Sequence, residues 1–175
     1  MRYIDIPVGR DSPAVFNMVV EIPKGSSNKY EYDPELNIFR LDRTLYSPMH
    51  YPGDYGFVPS TMAGDDDPLD VLVLVTNPTF TGCVTEVRTI GMLMMFDQGK
   101  EDLKLLCVPT SDPRTERLDD YNDVHPHRLR EIEHFFRIYK ELEGKQTETG
   151  GWQGAEAARE AVVRASRRFR ESALG

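Results

Sequence analysis

The sequence is short of several things, and each shortage narrows what the protein can be. Two cysteines, Cys83 and Cys107, occur in 175 residues. They sit apart in apolar stretches, so a disulfide framework or a thiolate metal site is excluded and both are expected as small, reduced core residues. Long apolar runs are missing: "VLVLV" and "MLMMF" fall far below the roughly 20 residues of a membrane-spanning helix. The opening "MRYIDIPVGRDSP" holds no apolar core of signal-peptide length, and Pro78 bars "NPT" from glycosylation; a cytoplasmic protein is expected. Positive charge is scarce, with 21 Lys and Arg against 29 Asp and Glu and a net charge of −8. Such a chain is a poor general binder of nucleic acid, and an anionic ligand would need a local cationic cluster or a metal. No GxxxxGK phosphate loop is present. An EF-hand beginning at Asp65 would want Gly at position 70 and Glu at 76, where the chain has Asp70 and Thr76. The four histidines lack HExxH spacing and are read as non-catalytic, with His134 a candidate for a subunit contact.

What is present indicates one folded domain over residues 1–175. Hydrophobic residues make up 39% and charged residues 29%, a balance suited to a packed core, and no repeat or linker divides the chain. "VFNMVVEI" (15–22) alternates Phe16, Met18, Val20 and Ile22 on one side and reads as a strand. "KYEY" (29–32), "IFRL" (38–41), "VLVLV" (71–75), "VTEVRTIGMLMMF" and "KLLCV" (104–108) add further strands, separated by turn signals such as "PKGSSN" and "DPELN". Short strands linked by turns predict a closed or nearly closed barrel. The last third is helical. Leu129, Ile132, Phe135, Phe136, Tyr139 and Leu142 recur at helical spacing between a start at Asp123 or Pro126 and a stop at Gly144. A second helix is expected from Ala155 to Phe169. Its arginines, among them Arg159, Arg164, Arg167 and Arg168, read as a solvated face because Glu156, Glu160 and Glu171 are interspersed.

The chemistry concentrates in "GDDDPLDVLVLV" (64–75), where four aspartates precede an apolar strand. Carboxylates crowded together repel unless protonated or bridged by a cation. Four are more than one shared proton relieves, and a hard divalent ion such as magnesium takes oxygen ligands of this kind. By itself the stretch is equally what an exposed acidic turn looks like. A second acidic group, Asp97, Glu101 and Asp102 in "FDQGKEDLKLL", leads into another strand, where Asp102 and Lys104 share a face. Two acidic loops at strand ends could converge on a cation cluster that activates water and clamps a phosphoryl group; the competing reading is a solvated hairpin. Lys29, Arg43, Tyr51, Tyr55, Tyr139 and Lys140 stand near strand ends or loops as well, where cations suit phosphate oxygens.

"DDDPLDV" (65–71) resembles the Asp-x-Asp-Pro-x-Asp signature of the soluble family I inorganic pyrophosphatases. "VVEIPKGSSNKYEYD", "HYPGDYGFVP", "GMLMMFDQGKEDLKLLCVP" and "IEHFFRIYKELE" follow as landmarks in that family's order. The resemblance implies a mainly β fold with α: an OB-like five-stranded β-barrel flanked by two main C-terminal helices. It implies magnesium-dependent hydrolysis of inorganic pyrophosphate to two orthophosphates, the substrate arriving as its magnesium complex, with manganese or zinc as substitutes, and a homohexamer. By the same resemblance Asp65, Asp70, Asp97 and Asp102 are metal ligands, with Glu21 and Glu31 around the metals. Asp67 takes the proton of the attacking water. Lys29, Arg43, Lys104, Tyr139 and Lys140 hold pyrophosphate, Tyr55 stands near water and phosphate, and Tyr51 supports it. Asp66 departs from the pattern, glycine being common there. The alternatives are an OB-like module that grips a phosphate-bearing ligand without turnover, a calcium-binding structural domain, and a degenerate member of the family. The net charge, the failed EF-hand match and the full set of catalytic positions argue against them in turn.

Overall fold

The computed structural model describes residues 1–172. Nine strands and two α-helices follow along the chain: β1 (Val15–Ile22), β2 (Asn28–Asp33), β3 (Ile38–Thr44), β4 (Asp54–Val58), β5 (Leu69–Val73), β6 (Val84–Asp97), β7 (Lys100–Glu101), β8 (Lys104–Pro109), α1 (Pro126–Ile138), β9 (Thr147–Gly154) and α2 (Ala155–Ser172). Five strands close on themselves in the order β1-β4-β5-β8-β6, with β6 returning to β1. This is the OB-like barrel with two C-terminal helices. Among its ladders β5–β8 is parallel and the others antiparallel. β2 and β3 form a separate hairpin, so the strands read at 29–32 and 38–41 lie outside the barrel, and β4 takes a place in it.

The apolar run of β5 has a direct cause. Val71 and Val73 pack with Leu105 and Cys107 against Ala158, Ala161, Val162 and Ala165 of α2. Leu72 and Leu74 pack with Leu106 and Val108 against Ile132, Phe135 and Phe136 of α1. With both faces covered, a strand reads as continuous rather than alternating. Cys107 is buried as expected, whereas Cys83 is only partly so; neither is bonded.

Two expectations on the helices are corrected. α1 does not run to Gly144: it stops at Ile138, and Glu141–Glu143 form a 3-10 turn closed by Gly144 at φ 73°. Beyond its end Lys140 Nζ is 2.6 Å from Asp97 Oδ2, and Glu143 Oε1 accepts from Arg43 Nε at 2.7 Å. Leu142 is therefore exposed instead of lying on the apolar face. α2 in turn continues past Phe169 to Ser172. β9, "TETGGWQG", gave no strand signal because its glycines lack strand preference. It is built by pairing along β6, with a bulge opposite Met94 and Met95.

Candidate active site

One cavity of about 660 Å³ opens beside the acidic loop at the barrel end. The parallel register of β5 and β8 sets Asp70 beside Lys104, and Asp102 stands just before β8. Lys104 Nζ donates to both carboxylates, forming an ion pair with Asp70 and lying 2.7 Å from Asp102 Oδ1. Lys104 is 3% exposed, and its ammonium rests 5.6 Å from the Tyr55 ring centroid. Burial pulls its pKa down, but the charges of Asp70 and Asp102 outweigh it and hold the group above the ordinary lysine value.

Glu21 reaches the cavity through a bulge. Val20 pairs with Gly56 and Ile22 with Tyr55, leaving Glu21 out of the ladder. Gly56 permits this: a Cβ there would lie 1.9 Å from the Val19 carbonyl oxygen. Glu21 Oε1 accepts from the Tyr32 N–H at 2.8 Å. Burial pushes its carboxyl up to about 8, against that hydrogen bond, with Asp70 adding to the rise.

The acidic loop is tied at its ends. The Ala63 N–H donates to the Asp67 carbonyl at 2.7 Å, and the Leu69 N–H donates to Thr61 Oγ1 at 3.0 Å. Asp65 Oδ1 accepts from the Asp67 N–H at 3.2 Å. Asp66 takes a left-handed φ of 71°. Burial first, then the charges of Asp65 and Asp70, push the Asp67 carboxyl up from its ordinary value.

The cations and phenols stand opposite. β2 and β3 place Lys29 beside Arg43; Lys29 pairs with Glu31 and lies 3.6 Å from Asp42. Tyr51, Tyr55 and Tyr139 are buried in an aromatic stack with Phe135 and Phe136. Burial holds all three phenols well above their ordinary pKa, so they remain protonated donors.

Twelve of the fourteen residues expected at the site line this cavity; Arg43 and Tyr51 do not. Tyr51 lies behind Tyr55, their rings 5.3 Å apart. Arg43 is drawn to Glu143 and Asp42, and its Nη2 is buried without a partner among the described residues. The sequence reading missed Glu143, which lies 100 residues from Arg43, and it missed Arg164 and Arg168, which line the cavity from α2. No local signal marks such partners.

The donor set suits a hard cation. It is all oxygen, and Asp97 Oδ1 is buried with no hydrogen-bond partner among the described residues. Among the described residues, no three His, Cys, Asp or Glu side chains close on a common point. The Lys104 ammonium lies between Asp70 and Asp102, and Lys140 holds Asp97.

A family model described as inorganic pyrophosphatase matches residues 18–170. The inorganic pyrophosphatase of Halalkalibacterium halodurans is 52% identical over 158 residues, 90% of this chain and 97% of that protein. That of Geobacillus stearothermophilus is 53% identical over 152 residues, 87% and 92%. The crystal structure of inorganic pyrophosphatase from Thermus thermophilus superposes with a TM-score of 0.95 at 45% identity, covering 97% of this chain and 99% of that one.

Proposed function

The chain belongs to the inorganic pyrophosphatase family and is an enzyme that hydrolyses inorganic pyrophosphate to two orthophosphates; we propose that it takes the substrate as its magnesium complex and works in the acidic cavity. The observation that carries this reading is convergence. Carboxylates from β1, the 64–68 loop, β5, β6 and the start of β8 share one cavity with Lys29, Lys104 and Lys140.

Asp65, Asp70, Asp97 and Asp102, with Glu21 and Glu31 beside them, would hold magnesium, with manganese or zinc as substitutes. Bound there, the ions would neutralise phosphoryl oxygens and acidify a water. Asp67 is the base: its raised pKa suits it to accept the proton of the attacking water. Attack on one phosphorus breaks its bond to the bridging oxygen, and the second orthophosphate departs. Lys29, Lys104 and Lys140, with the phenols of Tyr55 and Tyr139, donate to the oxygens on which charge grows, and Arg43, held beside the cavity by Glu143 and Asp42, would join them by turning its guanidinium inward. Lys104 has three N–H groups, two of them given to carboxylates, so one is left for phosphate. Tyr51 backs Tyr55. The reading extends to a homohexamer in the cytoplasm. Non-catalytic binding of a phosphate ligand is not favoured.

The test separates binding from turnover. Asp67→Asn should bind magnesium pyrophosphate calorimetrically but turn it over at a small fraction of the unaltered rate. Equal turnover would remove Asp67 from its role.

A further inference from the structure

We infer that Arg164 and Arg168, one turn apart on α2, form a cationic lip that captures the anionic substrate at the cavity mouth and passes it to the inner lysines. This rests on the pyrophosphatase reading of the same cavity. α2 is built into its wall: Ala161 and Ala165 line it together with the two arginines, and the Met62 N–H donates to the Ala165 carbonyl at 3.0 Å. That bond fixes the helix against the segment that leads from β4 into the acidic loop. Across the seam Gly64 has no side chain, and Arg168 Nη1 lies 3.5 Å from where one would begin. The guanidinium therefore sits over the acidic loop itself.

The other α2 arginines stand off the cavity. Arg159 is matched with Glu156 and Arg167 with Glu171 along the helix, and neither lines the cavity. Arg164 reaches Glu160 at 3.7 Å with both side chains more than half exposed, a contact as loose as those pairs and of little strength. Arg168 enters no ion pair among the described residues.

The electrostatic need is plain. The chain carries −8, and Asp65, Asp66 and Asp67 stand exposed on the facing lip. An approaching pyrophosphate meets like charge there before it meets Lys104. Two guanidinium groups at the rim offset much of that charge, and their planar donors match phosphate oxygens. Focused charge of this kind raises encounter rates and is screened by salt.

Three doubly substituted proteins, assayed for orthophosphate release at saturating magnesium and at low and high sodium chloride, test the inference. R164E/R168E changes the rim. R167E/R170E makes the same net charge change off the cavity. R164K/R168K keeps the rim charge. At low salt R164E/R168E should lose roughly tenfold in kcat/KM, almost all through KM, and the loss should shrink at high salt. The off-cavity variant should change less than about twofold, and the lysine variant should retain most of kcat/KM. The inference is overturned if R164E/R168E tracks R167E/R170E, or if its loss lies in kcat and ignores salt. No release from the unaltered chain would instead overturn the functional reading beneath it.

Discussion

Lys104 lies between Asp70 and Asp102, its ammonium paired with both, where the carboxylates of β5 and of the residues just before β8 converge. The lysine acts there as a tethered cation. Removing it should leave two carboxylates facing each other. Lys104→Met is expected to lose about 3 kcal/mol of stability in chelator, as when one partner of a buried pair is deleted. Magnesium should restore part of that loss by binding the folded state. Denaturant unfolding with and without magnesium checks this; an equal loss in both conditions would mean that the carboxylates do not share a cation.

Glu21 gives the chelated protein a pH dependence. Its carboxyl titrates near 8 in the fold against an ordinary value of 4.5. Below the lower value both folded and unfolded chains carry the proton. Between the two, the folded chain retains a proton that the unfolded chain has released, so stability falls as pH rises through this window. Melting temperature in chelator should decline from about pH 5 to 8, and Glu21→Gln should flatten the decline. A mutant profile parallel to the unaltered one would contradict this.

Glu143 holds Arg43. The carboxylate accepts from Arg43 Nε at 2.7 Å, and its side chain is 6% exposed. Losing a hydrogen bond between charged groups costs about 2 kcal/mol, and the freed guanidinium would no longer present its unpartnered Nη2 in a fixed direction. Glu143→Ala should therefore lower both stability and kcat/KM, while Glu143→Gln, which can still accept, should retain more of each. Identical behaviour of the two variants would dismiss the positioning role.

Asp66 occupies a left-handed conformation, φ 71°, with its side chain in the open. That conformation costs a non-glycine residue on the order of 1 kcal/mol, which glycine avoids. Asp66→Gly should leave stability level or slightly higher and keep pyrophosphatase activity, whereas Asp66→Val should destabilise. Loss of turnover in Asp66→Gly, with folding intact, would reveal a chemical role for the carboxylate.

Much of this was legible in the chain because the signals are local. The alternation in "VFNMVVEI", the helical spacing from Leu129 to Tyr139 and the unbroken "VLVLV" each report which faces are covered. The acidic motif showed where the site begins, since charge crowded beside a buried strand demands a counter-charge. What stayed hidden depends on distant partners. β9 exists because β6 is long enough to pair with it. The bulge that frees Glu21 depends on Gly56 of a neighbouring strand. Glu143 meets Arg43 across 100 residues. Arg164, Arg167, Arg168 and Arg170 are solvated, as their alternation with glutamates suggests, whereas Arg159 is half-buried with its Nε out of solvent; Arg164 and Arg168 border the cavity because the Met62–Ala165 bond seats the helix there.

The central claim is that these carboxylates gather cations to hydrolyse pyrophosphate, and orthophosphate release from pyrophosphate tests it most directly. Release should be rapid with magnesium, negligible in chelator, restored when magnesium is returned, and suppressed in Asp67→Asn. Release in chelator equal to that in magnesium, or no release from folded protein at any magnesium concentration, would contradict the account.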